Sequence, residues 1–206
     1  MKLTWYGHSC FKAQFREGSV IFDPYSPGKV PGLTLGELKA DIVINSHMHG
    51  DHCYPGGVQL TGDDPAFAVR EIMTFHDDKH GELRGENAVT IISGEGLTLA
   101  HLGNLGHELS DRQLADLGHI DVLLIPVGGY YTIDAAQAKR VIVSIAPKIA
   151  VPMHYRRGEA GLAPISELDD FIQHIDGEKI VYLNESSLEI DTQTPAGVYV
   201  FPWPKS

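Results

Sequence analysis

The segment Ser46-His47-Met48-His49-Gly50-Asp51-His52 sets three imidazoles and one carboxylate within six residues. Imidazole nitrogen and carboxylate oxygen are ligands for first-row divalent metals, and a protein shell that leaves a coordination position open admits water. Strand alternation carries His47 and His49 to one side. The chain then turns at Gly50, so Asp51 and His52 can face a second position. So dense a run of ligand types, placed directly after an apolar segment, points to a metal centre rather than to a polar loop rich in histidine by chance.

The segment that must hold this run, Asp41-Ile-Val-Ile-Asn45, is a short apolar stretch between polar flanks, the pattern of a buried strand. The first half of the chain continues this way. Residues 2–6, 10–15, 19–22, 66–69, 88–92 and 97–101 have strand-like content, with turns expected at Glu17-Gly18 and Ser93-Gly-Glu-Gly96. The second half changes period. Ser110-Asp-Arg-Gln113 opens a helix as a capping box, and Gly118 stops it. Asp134-Ala-Ala-Gln137 opens another, whose Ala138, Val141, Ile142 and Ile145 form one apolar face and which ends before Pro147. Residues 166–175 read as a third helix, and 121–125, 149–153, 180–183, 188–190 and 198–201 as strands. Two packed sheets with helices outside, in one domain spanning 1–206, suit this order.

Composition narrows the partners. The chain has 206 residues, 43% apolar and 21% charged, with a net charge of -11 when its 11 histidines are counted as neutral. Phosphate backbones and anionic membrane surfaces need a surplus of Lys and Arg, so neither nucleic acid nor membrane is an expected partner. A small-molecule substrate is. Cys10 and Cys53 are the only cysteines, and neither a leader-like apolar segment nor a run near the ~20 residues of a membrane span is visible. The expected compartment is the cytoplasm; oligomeric state stays open.

The histidine run resembles the metallo-β-lactamase superfamily, whose signature is H-x-H-x-D-H after a buried strand. Tyr6-Gly7-His8-Ser9 and Asp23-Pro24 are similar to the opening of the branch that includes small metal-dependent hydrolases and the ascorbate-6-phosphate lactonase. His101-Leu-Gly-Asn104 and Pro152-Met-His-Tyr155 match that branch's later motifs. The resemblance implies an α+β fold, the four-layer αββα sandwich, with the site at the sheet edges. It also implies that His47, His49 and His76 bind a first metal, and that Asp51, His52 and His154 bind a second. Asn104 stands where relatives commonly carry an aspartate that bridges the two ions. Asn offers a neutral oxygen and no charge, which leaves three outcomes: one metal, two metals held weakly, or reduced hydrolysis.

The implied cofactor is one or two divalent ions per chain, zinc foremost, with manganese, iron and nickel also accepted by such ligands. The implied reaction is hydrolysis of a small anionic ester, lactone or phosphoester by metal-activated water, whose pKa can fall to about 7. Asp51 would orient that water as well as bind metal, and His101, His107 or a metal-bound water would give a proton to the leaving group. His101 reads equally as a core histidine satisfied by backbone. His8 would reach the site from the N-terminal side as a substrate contact. Tyr130, after Gly128-Gly129, either walls the pocket or packs; Arg156 either binds an anionic group or is solvated. The alternative is a metal-binding protein weakened or silenced by Asn104. A nuclease of the same superfamily is disfavoured by the charge.

Overall fold

The computed structural model describes residues 1–177 and 179–204. In the first sheet β1 (Lys2–Gly7), β2 (Cys10–Phe15) and β3 (Gly18–Phe22) form an antiparallel meander. Next come β4 (Leu38–Ala40), β5 (Ile42–Ile44) and β6 (Val58–Leu60). β7 (Ala68–Phe75), β8 (Glu86–Gly94) and β9 (Leu97–His101) make a second meander. Then follow α1 (Asp111–Leu117), β10 (Val122–Pro126), α2 (Ala135–Ile145), β11 (Ile149–Met153), α3 (Leu168–Ile172), β12 (Ile180–Tyr182), β13 (Ser187–Glu189) and β14 (Gly197–Val200). One sheet has the order β13-β1-β2-β3-β5, the other β12-β14-β11-β10-β9-β8-β7, and β4 pairs β6 as a small ribbon.

Burial follows strand chemistry. β1 alternates, burying Leu3, Trp5 and Gly7, while β10 and β11 are buried at every residue, as parallel strands covered on both faces are. The main core joins Leu3, Trp5, Phe11 and Phe22 of the first sheet to Ile91, Leu99, Leu124 and Val151 of the second. α1 and α2 serve the parallel crossovers β9–β10 and β10–β11, and α2 places Ala138, Val141 and Ile142 in that core. Both helices carry the complete capping boxes read from Ser110 and Asp134. On the other outer side, Tyr25, Val30, Leu33, Leu38, Ala40 and Val58 cover Cys10 and Ile21. That fourth layer is loop and ribbon rather than a helix of several turns.

Several boundaries differ from the sequence reading. The turn after β2 is Arg16-Glu17, since Phe15 already pairs with Gly18. Strand 66–69 becomes β7, which runs to Phe75 against the whole length of β8; it is an edge strand whose exposed residues blur the alternation. The helix expected over 166–175 shrinks to α3, whose N-terminal Glu167 makes no side-chain cap. β4 and β6 have three residues each, too few to show a period. The remaining helix and strand cores lie where they were expected.

Strand parity decides where the functional loops meet. β1, β3 and β5 run one way in the first sheet, and β7, β9, β10 and β11 run one way in the second. Their C-terminal ends deliver His8, Asp23, the 45–52 loop, His76, Asn104 and His154 to one place.

Candidate metal centre

Two groups of donor atoms assemble at this edge. His47, His49 and His76 form one; His8, Asp51, His52 and His154 form the other, and within each group the ligand atoms lie within 4.8 Å of one another. The His47 ring is the hinge between them, 4.7 Å from His49, 4.7 Å from His76 and 4.4 Å from His52 between centroids.

The surroundings aim these rings. Asp23, buried at the end of β3, accepts from the Ser46 N–H (2.6 Å), the Ser46 hydroxyl (2.7 Å) and His52 Nδ1–H (2.7 Å). Since the hydroxyl proton goes to Asp23, Ser46 Oγ accepts from His47 Nδ1–H at 3.0 Å. Both rings therefore present an unprotonated Nε2, the tautomer a metal needs, held by a carboxylate behind the ligands. Neither Nε2 has a hydrogen-bond partner. The same is true of both ring nitrogens of His8 and His154, of His76 Nδ1 and of Asn104 Oδ1. So many buried polar atoms without partners are costly unless a ligand satisfies them, and a divalent cation fits imidazole and carboxylate donors.

Electrostatics agree. Burial, with His76 and His49 alongside, holds His47 down to about 3, and burial holds His52 and His154 well below the ordinary histidine range. All three rings are neutral at pH 7. Burial raises the Asp51 carboxyl, and the facing His8 and His154 more than reverse this, keeping it ionised. Burial pushes the Asp23 carboxyl up, and the bonds from the Ser46 N–H and hydroxyl oppose this; with His52 Nδ1–H they favour the ionised carboxylate as acceptor.

Loop 102–107 sits tightly over His76. Gly103 is left-handed, with φ +56°. A side chain at Gly106 would collide with the backbone of His76 and Asp77. Asn87 Oδ1 accepts from the Asn104 N–H at 2.8 Å, and Asn104 Nδ2 donates to His76 Nε2 at 3.0 Å. Asp77 accepts from the N–H groups of Lys79, Gly81, Leu83 and Arg84, folding that loop back over the site.

A cleft of about 310 Å³ opens onto both groups, lined by His49, Asp51, His76 and Asn104 together with Lys29, Arg84, Tyr131 and Leu162. The Arg84 guanidinium lies over the Tyr131 ring, 5.6 Å from its centroid. Lys29 comes from the turn whose Ser26 N–H bonds Gly50 O at 2.8 Å. Sequence reasoning passed over Lys29, Arg84, Asn87 and Asp23's double role. Only the Asp23-Pro24 motif was a signal.

Other expected residues lie elsewhere. His101 is a core histidine: Nε2–H donates to Ser9 O (2.9 Å), Nδ1 accepts from Gly103 N–H (3.1 Å), and the ring stacks on Phe22. Both nitrogens are spent on backbone, so it has no proton for a leaving group. His107 likewise bonds Phe75 N–H and Glu108 O, in a larger cleft of about 800 Å³ between β7 and α1 that contains none of the grouped histidines. Tyr130 projects into solvent and packs edge-on against Tyr131, which takes the cleft position instead. Arg156 is pinned by Glu167 (2.7 Å) and the carbonyls of Gly158 and Ile165, away from the cleft. His8, expected to touch substrate, stands in the second donor group.

Comparison with known proteins adds the following. Residues 2–154 match the profile of the Beta-lactamase superfamily domain. A UPF0173 metal-dependent hydrolase of Carboxydothermus hydrogenoformans is 27% identical over 206 aligned residues, covering 82% of this chain and 91% of its own. A UPF0173 metal-dependent hydrolase of Archaeoglobus fulgidus is 30% identical, covering 75% of this chain and 83% of its own. A crystal structure from Thermotoga maritima, described as a Zn-dependent hydrolase of the metallo-β-lactamase superfamily, superposes with a TM-score of 0.74 at 32% identity, covering 97% of both chains.

Proposed function

Given that this chain belongs to the β-lactamase superfamily and is a metal-dependent hydrolase, we propose that it cleaves a small anionic ester, lactone or phosphoester. The observation that carries this reading is the cleft: two cationic side chains, Lys29 and Arg84, line it together with His49 and His76, and Asp51 is the one carboxylate among its lining residues. The size of the cleft suits a small molecule.

His47, His49 and His76, and His8, Asp51, His52 and His154, would hold the metal. When bound, a divalent ion supplies Lewis acidity, activating water and polarising a carbonyl or phosphoryl oxygen. Asp51, ionised and facing the cleft, accepts the proton of the attacking water at a carboxylate oxygen and returns it to the leaving oxygen. Lys29 and Arg84 orient the substrate's anionic group and oppose charge that develops on the reacting oxygen. Three imidazoles with one carboxylate support zinc as the resident ion. The net charge of -11 supports work on a small molecule, without nucleic acid or membrane, and the two free cysteines support the cytoplasm.

A second reading is favoured by one contact. Asn104 Nδ2 donates to His76 Nε2, so the amide occupies a ring nitrogen that an ion would use. The protein would then bind metal yet turn over slowly.

Chelated and re-metallated protein should be assayed on carboxylic esters, lactones and phosphoesters, each as an anionic and a neutral analogue. Metal-dependent turnover with preference for the anionic member is expected. Metal-independent rates, or equal rates for both members, overturn the reading; metal binding without turnover selects the second one.

A further inference from the structure

His8 is 1% exposed, and neither ring nitrogen has a hydrogen-bond partner. A histidine buried for packing spends its nitrogens on backbone, as His101 does. His8 instead holds a left-handed backbone, φ 52°, and so does the facing His154, φ 56°. Such conformations are unfavourable for a side-chain-bearing residue and persist where the surroundings enforce them. Here the His8 carbonyl accepts from Trp5 Nε1–H (3.0 Å) and from the His154 N–H (3.3 Å), which locks the two strand ends together with their rings 4.1 Å apart.

Spacing identifies what the rings await. His8 Nε2 and His52 Nε2 lie 3.5 and 3.6 Å from the same oxygen, Asp51 Oδ2. Donors bound tetrahedrally at about 2.1 Å stand about 3.4 Å apart, so these separations are edges of a coordination shell. The other group differs: it has three imidazoles and no carboxylate, and Asn104 already donates to one of them.

We propose that the two groups are unequal metal sites. His8 is the fourth protein ligand of a tight, closed site with Asp51, His52 and His154. His47, His49 and His76 then form the weaker, open site, where water and substrate enter. This rests on the reading of the chain as a metal-dependent hydrolase. It goes further in assigning His8 as a ligand and in ranking the sites.

The test is titration of chelated full-length protein with Co(II) against a chromophoric competitor, following stoichiometry, affinity and the cobalt absorption bands. Wild type should show two classes of site. His8→Asn suits the test because asparagine tolerates the left-handed backbone. It should weaken the tighter class at least 10-fold and change its bands while the weaker class persists, with unchanged circular dichroism of the metal-free protein. His49→Ala should lose the weaker class and keep the tighter one. The proposal fails if His8→Asn leaves the tighter class intact, or if His49→Ala abolishes it. A wild type that binds no cobalt or zinc instead overturns the metal-dependent reading itself.

Discussion

The Asp23 carboxylate receives His52 Nδ1–H at 2.7 Å and, through the Ser46 hydroxyl, steers His47 as well, so one buried side chain sets the tautomers of rings in both groups. Replacing Asp23 with Asn keeps the volume but lets either ring take the other tautomer. Asp23→Asn should lower metal affinity by about 10- to 100-fold, the usual effect of losing such a partner. Competition against a chelating dye measures it; unchanged affinity would remove Asp23 from this role.

Arg84 reaches the cleft because Asp77 folds its loop and Tyr131 supports the guanidinium. A charge-assisted contact is worth about 1.5–3 kcal/mol. Arg84→Gln should therefore raise KM for an anionic substrate about 10-fold or more and leave KM for the neutral analogue almost unchanged. Parallel steady-state kinetics on the two substrates show the split.

Arg156 braces the loop after β11 through Glu167 and two carbonyls, well apart from the cleft. Arg156→Gln should lower stability by about 1 kcal/mol, since the pair is partly solvent-exposed, and leave KM unaltered. Urea unfolding and kinetics on the same preparation test both halves.

Asn104→Asp replaces an amide donor with an anion beside His76. The weaker site should tighten, and metal per chain in protein purified without added metal should rise toward two ions. Any ion bound only by the folded state adds stability by mass action, about 2.7 kcal/mol at a concentration 100 times its Kd. Stripping metal from the variant should therefore cost it more thermal stability than wild type loses. Elemental analysis and melting curves decide the matter.

Burial lowers His101 from the usual 6.5 to about 4 on folding. Between those values the unfolded chain binds a proton that the folded chain refuses, so stability is lost as pH falls through that window. The contribution is up to about 3 kcal/mol. In metal-free protein, His101→Gln should show a shallower loss of stability than wild type between pH 6.5 and pH 4. At neutral pH the metal-loaded variant should retain metal affinity, since the ring touches no ligand.

Local chemistry made much of this protein legible in its residues. The capping boxes at Ser110 and Asp134, the apolar runs that became β5, β10 and β11, and the dense histidine segment after β5 are each specified by neighbours within a few positions. Motif resemblance then pointed to His76, Asn104 and His154. What tertiary structure alone decided is which of these meet. His8 and His154 are far apart in sequence and join only because strands from two sheets end at a common edge and the His154 N–H reaches the His8 carbonyl. Tyr131 rather than Tyr130 faces the cleft because a left-handed Tyr130 turns outward. Lys29 and Arg84 lie in loops with no periodic pattern and arrive through backbone bonds to Gly50 and Asp77. Side-chain periodicity encodes which face an element buries. It carries no record of which distant loop will close over that face, because that depends on sheet parity and loop closure across the whole chain.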